Sequence, residues 1–342
     1  MGEPRTDWKE IIKPGEDEVL LRHAETLRDL QRQVAAKAGV GRALHRKSHG
    51  GVLADVSVRA NLPAHLRVGM FAEPKTYSAY VRFSNGAGKD QPDKQGDVRG
   101  IALKVVGAPG KKLIPGMEDA KTHDFLMIKS KFTPFRNATE FVGVVKGVNK
   151  PLSLFGLGAK IGFGRLFSLL KQLTGGLKDP TPSMAGMPVY SALPVRWGDC
   201  AAQFAMFPVG EMDRTSRGRG PNALREDLAA RLKEGSLRYE LRVQLYVDAE
   251  KTPIEDASVE WKESDSPFIT VADVVLLQQD MNSAKGLKVE AFVEKLSFDP
   301  WHAPVEFRPL GNMMRARNHA YRLSTMERGA APEPDGSERF ED

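Results

Sequence analysis

Between Asp17 and Lys37 the apolar residues Leu20, Leu21, Leu27, Leu30 and Val34, with His23 among them, recur at helical spacing. Acids open this segment, bases close it and Gly39 follows, as the helix dipole favours, so an amphipathic helix is predicted. The period then changes. Short apolar runs punctuated by Gly, Pro, Asn and Asp read as strands at Val52–Arg59, Ala79–Phe83, Val98–Val106, Asp124–Lys129 and Cys200–Phe207. The clearest alternation is Leu237–Val247, where Leu237, Tyr239, Leu241, Val243, Leu245 and Val247 share one face and mostly polar residues take the other. Helical patterns return at Asn222–Lys233, near Asn137–Lys150 and at Asn312–Met326. Many antiparallel strands interrupted by helices predict an α+β chain built on a closed barrel, an architecture that can enclose a ligand in its mouth.

Two stretches fall outside that pattern. Residues Pro151–Lys178 are rich in Phe, Leu and Gly with several bases, and read either as a cover or subunit interface for the barrel or as a lipid-facing segment. Gly329–Asp342 is a Pro-, Glu- and Asp-rich tail with little to bury, and disorder is expected there. No internal repeat is present.

A chain of 342 residues accommodates two domains or one large β domain with appendages. With 41% hydrophobic and 27% charged residues and a mean hydropathy of −0.37, it has a globular composition. No run reaches the ~20 apolar residues of a membrane-spanning helix. The single cysteine, Cys200, rules out an internal disulfide and reads as an inert core thiol. The first ten residues lack the apolar core of a secretory signal, and a reducing cytoplasm is the expected location. The net charge of +6 is spread along the chain, without the aromatic-interleaved basic patch of a nucleic-acid binder, so no nucleic-acid partner is expected. A small anionic ligand accounts for some of the arginines at less cost.

Two constellations carry candidate chemistry. In the last helical segment Arg317 and Tyr321 are one turn apart, so their side chains can meet. A guanidinium beside a phenol favours the phenolate, which is a good ligand for a ferric ion. The same spacing also describes a surface arginine lying over a partly buried tyrosine. The second constellation is Arg42-Ala-Leu-His45-Arg-Lys47-Ser-His49, just before a strand. His45 is a candidate acid/base because imidazole reaches both protonation states near neutral pH. A loop histidine held by hydrogen bonds fits the same position, His49 is close enough to be mistaken for it, and no HExxH pattern supports a two-histidine metal site. His302, in a Pro-bounded loop, and His319, on another side of the helix from Tyr321, read as structural.

Five pieces of sequence in one order resemble the haem catalase family: R-x-x-H-x-K at Arg42–Lys47, YVRFSNGAG at Tyr80–Gly88, D-x-RGIALKV at Asp97–Val105, FDPWHAP at Phe298–Pro304, and Arg317, Tyr321 and Arg328 on the last helix. The likeness is strongest over 42–130 and 296–328 and faint across 136–195. Within that family the chain is similar to the short catalase-related haem proteins, because it ends soon after Arg328. The resemblance implies a catalase-like antiparallel eight-stranded β-barrel with inserted and flanking helices, preceded by an N-terminal helical arm (1–41). The barrel domain (42–328) would carry an insertion at about 136–195, and residues 329–342 would form an acidic, disordered tail.

It also implies a haem b (iron protoporphyrin IX) held by Tyr321 through its oxygen, as in the tyrosine-ligated haem of catalase. His45 would be the distal acid/base, Ser84 its hydrogen-bonding partner, Arg317 the residue that keeps the tyrosine ionised, and Arg42, Arg82 and Arg328 the partners of the haem propionates. Thr122 falls where the family has a distal asparagine, a departure that weighs against efficient hydrogen peroxide dismutation. Phe132, Phe135 and Phe141 are all candidates for the aromatic stacked on the haem. The implied function is a haem-dependent peroxidase of the catalase-related type, acting on hydrogen peroxide or organic hydroperoxides with a small-molecule electron donor. The alternatives are a fatty-acid hydroperoxide-converting enzyme, similar to allene oxide synthase or hydroperoxide lyase, and a non-catalytic haem-binding protein. A homo-oligomer is expected.

Overall fold

The computed structural model describes residues 4–176, 181–210, 213 and 215–341. Nine strands form one antiparallel sheet: β1 (Ser48–Val58), β2 (Thr76–Asn85), β3 (Arg99–Val106), β4 (Thr122–Ile128), β5 (Val189–Tyr190), β6 (Val195–Trp197), β7 (Cys200–Pro208), β8 (Leu237–Leu245) and β9 (Ile269–Leu276). β9 pairs with both β1 and β8, and the two-residue β5 pairs with β4 on one side and β7 on the other. The ring β1-β2-β3-β4-β5-β7-β8-β9 therefore closes into an eight-stranded barrel, and β6 pairs beside β5 on the same edge of β7. Closure removes the exposed edges that an open sheet of this size would present.

Alternation sorts the side chains. Val52, Ala54 and Val56 of β1, Val81 and Phe83 of β2, Leu103 of β3, Phe125 of β4, Phe204 of β7, Leu241 of β8 and Val274 of β9 all belong to one buried core. The residues between them face outwards, and on β2–β3–β4 they line up across the strands in rows. Ser84 pairs with Gly100 and Gly100 with Ile128; Arg82 pairs with Ala102 and Ala102 with Leu126. Tyr80 pairs with Lys104 and Lys104 with Asp124, and Val106 pairs with Thr122. This outer wall carries everything that follows.

Seven helices cover the barrel among the described residues: α1 (Glu16–Ala38), α2 (Ala138–Asn149), α3 (Ser153–Ile161), α4 (Phe163–Gly176), α5 (Ala223–Glu234), α6 (Ala284–Lys295) and α7 (Asn312–Arg328). α2 starts where Asn137 accepts a hydrogen bond from the Glu140 amide at 3.2 Å, and α6 where Ser283 accepts one from Gly286 at 3.0 Å. α6 lies against β1 so closely that a Cβ on Gly51 would sit 2.5 Å from Val293, so only glycine fits there. α1 packs along α7, tied by Arg315, whose guanidinium meets Glu16 and Glu10 at 2.6 Å and Glu255 at 2.9 Å.

The N-terminal helix α1 is docked on α7. Two expectations change. The segment 136–195 is not wholly an insertion, because β5 within it closes the barrel. The tail is ordered against the barrel, where apolar residues sparse in sequence each find a place. Ala331 donates its amide to the Lys295 carbonyl at 2.9 Å, Phe340 stacks on Phe292 at 5.4 Å, and Tyr80 donates to Glu338 at 3.2 Å. No described helix is long and apolar enough alone to cross a membrane.

Candidate active site

The outer rows of Ser84 and Arg82 form one wall of a cavity of about 270 Å³, closed by α1, α2, α7 and the loop before β1. Its lining is mostly apolar, from Leu44, Ala102, Leu126, Ile128, Phe141, Phe298 and Met313. A cavity in the barrel mouth was the expectation. The alternation of β2 instead turns Ser84 and Arg82 away from the barrel core, so the cavity lies between the wall and the helices.

Six predicted residues converge here with Ser84: Arg42, His45, Arg82, Arg317, Tyr321 and Arg328 all line the same cavity. His45 is held in the left-handed region, with φ +54°, a conformation that costs a non-glycine residue about 1 kcal/mol or more. Its amide donates to the Gly86 carbonyl at 3.0 Å and the next amide to Ala87 at 3.2 Å, so the extension of β2 sets the loop's path. The ring rests over Gly100, where a Cβ would come within 2.6 Å of the imidazole. Nδ1 lies 3.0 Å from Ser84 Oγ, and Nε2 has no hydrogen-bond partner among the described residues. Burial, reinforced by Arg82, Arg317 and Arg42, pushes the imidazole pKa down to about 3. It is therefore neutral at pH 7 and available as a proton acceptor.

Opposite chemistry is placed on α7. Arg317 Nη2 donates to Tyr321 Oη at 2.7 Å, and the guanidinium also sits 4.9 Å from the centre of the tyrosine ring. The i, i+4 spacing read in the sequence is thus used, and the pair faces the cavity.

The remaining arginines form a cationic cluster at the C-terminal end of α6. Arg82 Nε donates to Glu294 Oε2 at 2.8 Å, and Arg42 pairs with the same carboxylate. Arg42 and Arg328 donate to the Leu296 carbonyl at 2.9 and 2.6 Å, which satisfies the free end of the helix. Burial, with Arg82 nearby, drives the Arg42 guanidinium well below its usual pKa, and burial lowers Arg328 to about 10. Burial works to raise the Glu294 carboxyl, but Arg82 and Arg42 outweigh it and hold it below the usual carboxylate range. Two guanidiniums thus share one carboxylate, which is 42% exposed, while the third, Arg328, bonds only backbone carbonyls beside it. The cluster carries surplus positive charge at the edge of an apolar cavity.

Thr122 does not join this site. It belongs to the far end of β4, three rows from Ile128, or about 20 Å along the strand, and its hydroxyl donates to Glu333 of the tail. The expected equivalence with a distal residue is corrected by register. Of the three candidate aromatics Phe141 lines the cavity; Phe135 stacks behind it at 5.2 Å, and Phe132 is partly exposed. His49 is buried against Asn85 at 2.6 Å and shares no site with His45. His319 pairs with Asp17 at 2.7 Å, and His302 with Asp124 at 2.9 Å. Cys200 is buried.

Asp124, His302 and Glu333 bring three potential metal-ligating atoms within 4.8 Å of one another. The Lys104 ammonium already lies among them, 2.7 Å from Asp124 and paired with Glu333, so the protein supplies the cation itself. Two contributors, one to the cavity lining and one to the arginine cluster, escaped sequence reading. α1 supplies Leu27, Arg28 and Gln31, for which the apolar stripe with His23 was the available signal. Glu294 had none, because it meets Arg82 across 212 residues of sequence.

No family model matches the chain. It is 26% identical over 279 residues to a protein named catalase-related peroxidase from Mycolicibacterium paratuberculosis, covering 76% of this chain and 82% of that one. Its structure resembles a bacterial catalase (TM-score 0.65, 17% identity, 87% of this chain) and a fungal catalase (TM-score 0.67, 17% identity, 88% of this chain). The chain spans only 59% and 62% of the lengths of those two. Catalase A from Saccharomyces cerevisiae is similar at a TM-score of 0.63 and 16% identity, over 96% of this chain and 68% of that one. The closed eight-stranded barrel is thus the fold of the catalases, and the sequence is similar to that of the catalase-related peroxidase.

Proposed function

We propose that the chain is a haem-dependent peroxidase of the catalase-related type, reducing hydrogen peroxide or organic hydroperoxides at the expense of a small-molecule electron donor. The observation that carries this reading is the pairing, in one apolar cavity, of a guanidinium-bound phenol with a neutral imidazole whose Nε2 is free. The residues fit haem b in three respects. The walls are apolar enough for a porphyrin, the surplus of guanidiniums over Glu294 suits two propionates, and Tyr321 offers a phenol oxygen, bonded to Arg317, as a ligand for iron.

When bound, the haem iron supplies the redox chemistry of peroxide cleavage. Everything else falls to the chain. Tyr321 would hold the iron, and Arg317, donating to Oη, fixes the position of that oxygen. Nε2 of His45 takes the proton of an incoming hydroperoxide and can return it to the departing oxygen. For this Nδ1 must carry the ring proton and donate it to Ser84 Oγ, which fixes tautomer and orientation. The neutral state of His45 keeps it ready without any prior deprotonation at physiological pH.

The test is to load the full chain with hemin and analyse products with hydrogen peroxide, then with a bulky organic hydroperoxide and with a fatty-acid hydroperoxide. Oxidised donor is the expected result. Oxygen evolution would point to catalase activity, a rearranged or cleaved fatty acid to a hydroperoxide-converting enzyme, and no product at all to a haem-binding protein without turnover.

A further inference from the structure

The sequence from Phe141 to Lys178 contains no aspartate or glutamate, yet it carries Lys146, Lys150, Lys160, Arg165, Lys171 and Lys178. Glu140 answers only one of these: it pairs with Arg165 at 2.6 Å. Lys146, Lys150, Lys160 and Lys171 are exposed, and none forms an ion pair among the described residues. Nothing in this segment cancels their charge.

The same segment exposes large apolar side chains. Its inner face is conventional: Leu157, Leu166 and Leu169 pack with Phe135 and Val144 in a small core beside α2. Its outer face is not. Leu152, just before α3, and Phe155 within it are 84% and 70% exposed, and on α4 Phe163 and Phe167 are 58% and 73% exposed. Phe163, Phe167 and Lys171 recur at four-residue spacing, so aromatic and cationic groups share one side of α4. A helix apolar on both faces has a partner on each. The packed core accounts for the inner face only.

We propose that the outer face of α3 and α4 docks on the surface of an anionic lipid bilayer. The two helices meet at a bend of 116° with a single-residue break, so they do not form a straight span. A bent pair instead lies in the interface, with phenylalanines entering the acyl boundary and lysines meeting anionic headgroups. Charge complementarity selects this occupant. A second copy of the chain would set Lys160 and Lys171 against their own copies, and an uncharged apolar partner would leave both without counter-charge.

The experiment is vesicle flotation of the full chain, on phosphatidylcholine vesicles with and without phosphatidylglycerol, at low and high salt. Wild type is expected to float with the phosphatidylglycerol vesicles, more weakly at high salt. Phe155→Ser combined with Phe163→Ser and Phe167→Ser should reduce binding on the order of tenfold or more. Replacing Lys146, Lys150, Lys160 and Lys171 by Gln should remove the preference for phosphatidylglycerol. Unchanged thermal melting confirms that each variant folds. Failure of the wild type to float, or equal binding to both vesicle types, would overturn the proposal. So would a wild-type dimer, seen by light scattering, that the phenylalanine variant converts to monomer.

Discussion

One outer wall, formed by β2, β3 and β4, carries two clusters of buried charge that differ in how they are balanced. At the His45 end, Arg42 and Arg82 share a single half-exposed carboxylate, Arg328 bonds the nearby Leu296 carbonyl, and all three border a cavity of about 270 Å³. Two rows further along, Lys104 lies fully buried between Asp124 and Glu333, with His302 and Thr122 completing the network and the tail sealing it. The second cluster is satisfied by the protein itself. Burial opposes the Lys104 charge, but Asp124 and Glu333 outweigh it and raise its pKa. Both clusters pay desolvation, and only the first leaves positive charge unmatched. The contrast distinguishes a site that awaits an anionic ligand from one that fastens the chain to itself.

Substitutions at each end should therefore separate ligand binding from stability. Tyr321→Phe removes the oxygen proposed to hold the iron, and the expected result is loss of stable hemin binding with little change in melting temperature. Lys104→Met should do the reverse. It leaves Asp124 and Glu333 facing each other without a cation, at a cost of roughly 3–5 kcal/mol in denaturant unfolding, while hemin binding persists. The pH dependence has a definite sign. Burial works to raise the Glu333 carboxyl, but Lys104 and His302 bring it down to about 2. Its contribution to stability is complete above the unfolded value of ~4.5 and is lost as pH falls towards 2, so wild type should be more acid-sensitive than Lys104→Met.

Smaller effects follow at the cavity. His45→Ala should keep hemin bound and slow the reaction with peroxide by a factor on the order of 10² or more in stopped flow. In the wild type that rate should hold constant as pH falls through 6.5, because the imidazole stays neutral until about pH 3. An inflection near ~6.5 would mean that His45 titrates as an ordinary histidine. Thr122→Asn should change peroxide chemistry least, because Thr122 lies in the sealed cluster; a rise in oxygen evolution would contradict that placement.

Much of this wall was legible in advance. The strands predicted at Val52–Arg59, Ala79–Phe83, Val98–Val106 and Asp124–Lys129 became β1 to β4, because a half-buried strand repeats every second residue and the period survives without tertiary knowledge. α1, α2, α5 and α7 were legible through helical spacing for the same reason. β5 and β6, of two and three residues, hold no period at all and exist only because β7 offers them an edge. β9 (ITVADVVL) and α6 were passed over, the first being short between turns and the second marked mainly by its Ser283 cap. At the site, Arg317 and Tyr321 were readable from spacing, while the roles of Arg42, Arg82 and Arg328 came from resemblance. Glu294 and Glu333 were illegible, since a charge pair between distant segments exists only once the barrel closes and the tail returns. The tail reads as disordered because its average composition hides a few anchors, Glu333, Glu338 and Phe340.

The central claim is that Tyr321 holds a haem iron in the cavity between this wall and α7. Its most direct test is a hemin titration followed by absorption spectroscopy on wild type, Tyr321→Phe and Lys104→Met in parallel. The account predicts saturable one-to-one binding with the same high-spin spectrum in wild type and Lys104→Met, and loss of that spectrum in Tyr321→Phe. An identical spectrum in Tyr321→Phe, or no saturable binding by the wild type, would contradict it.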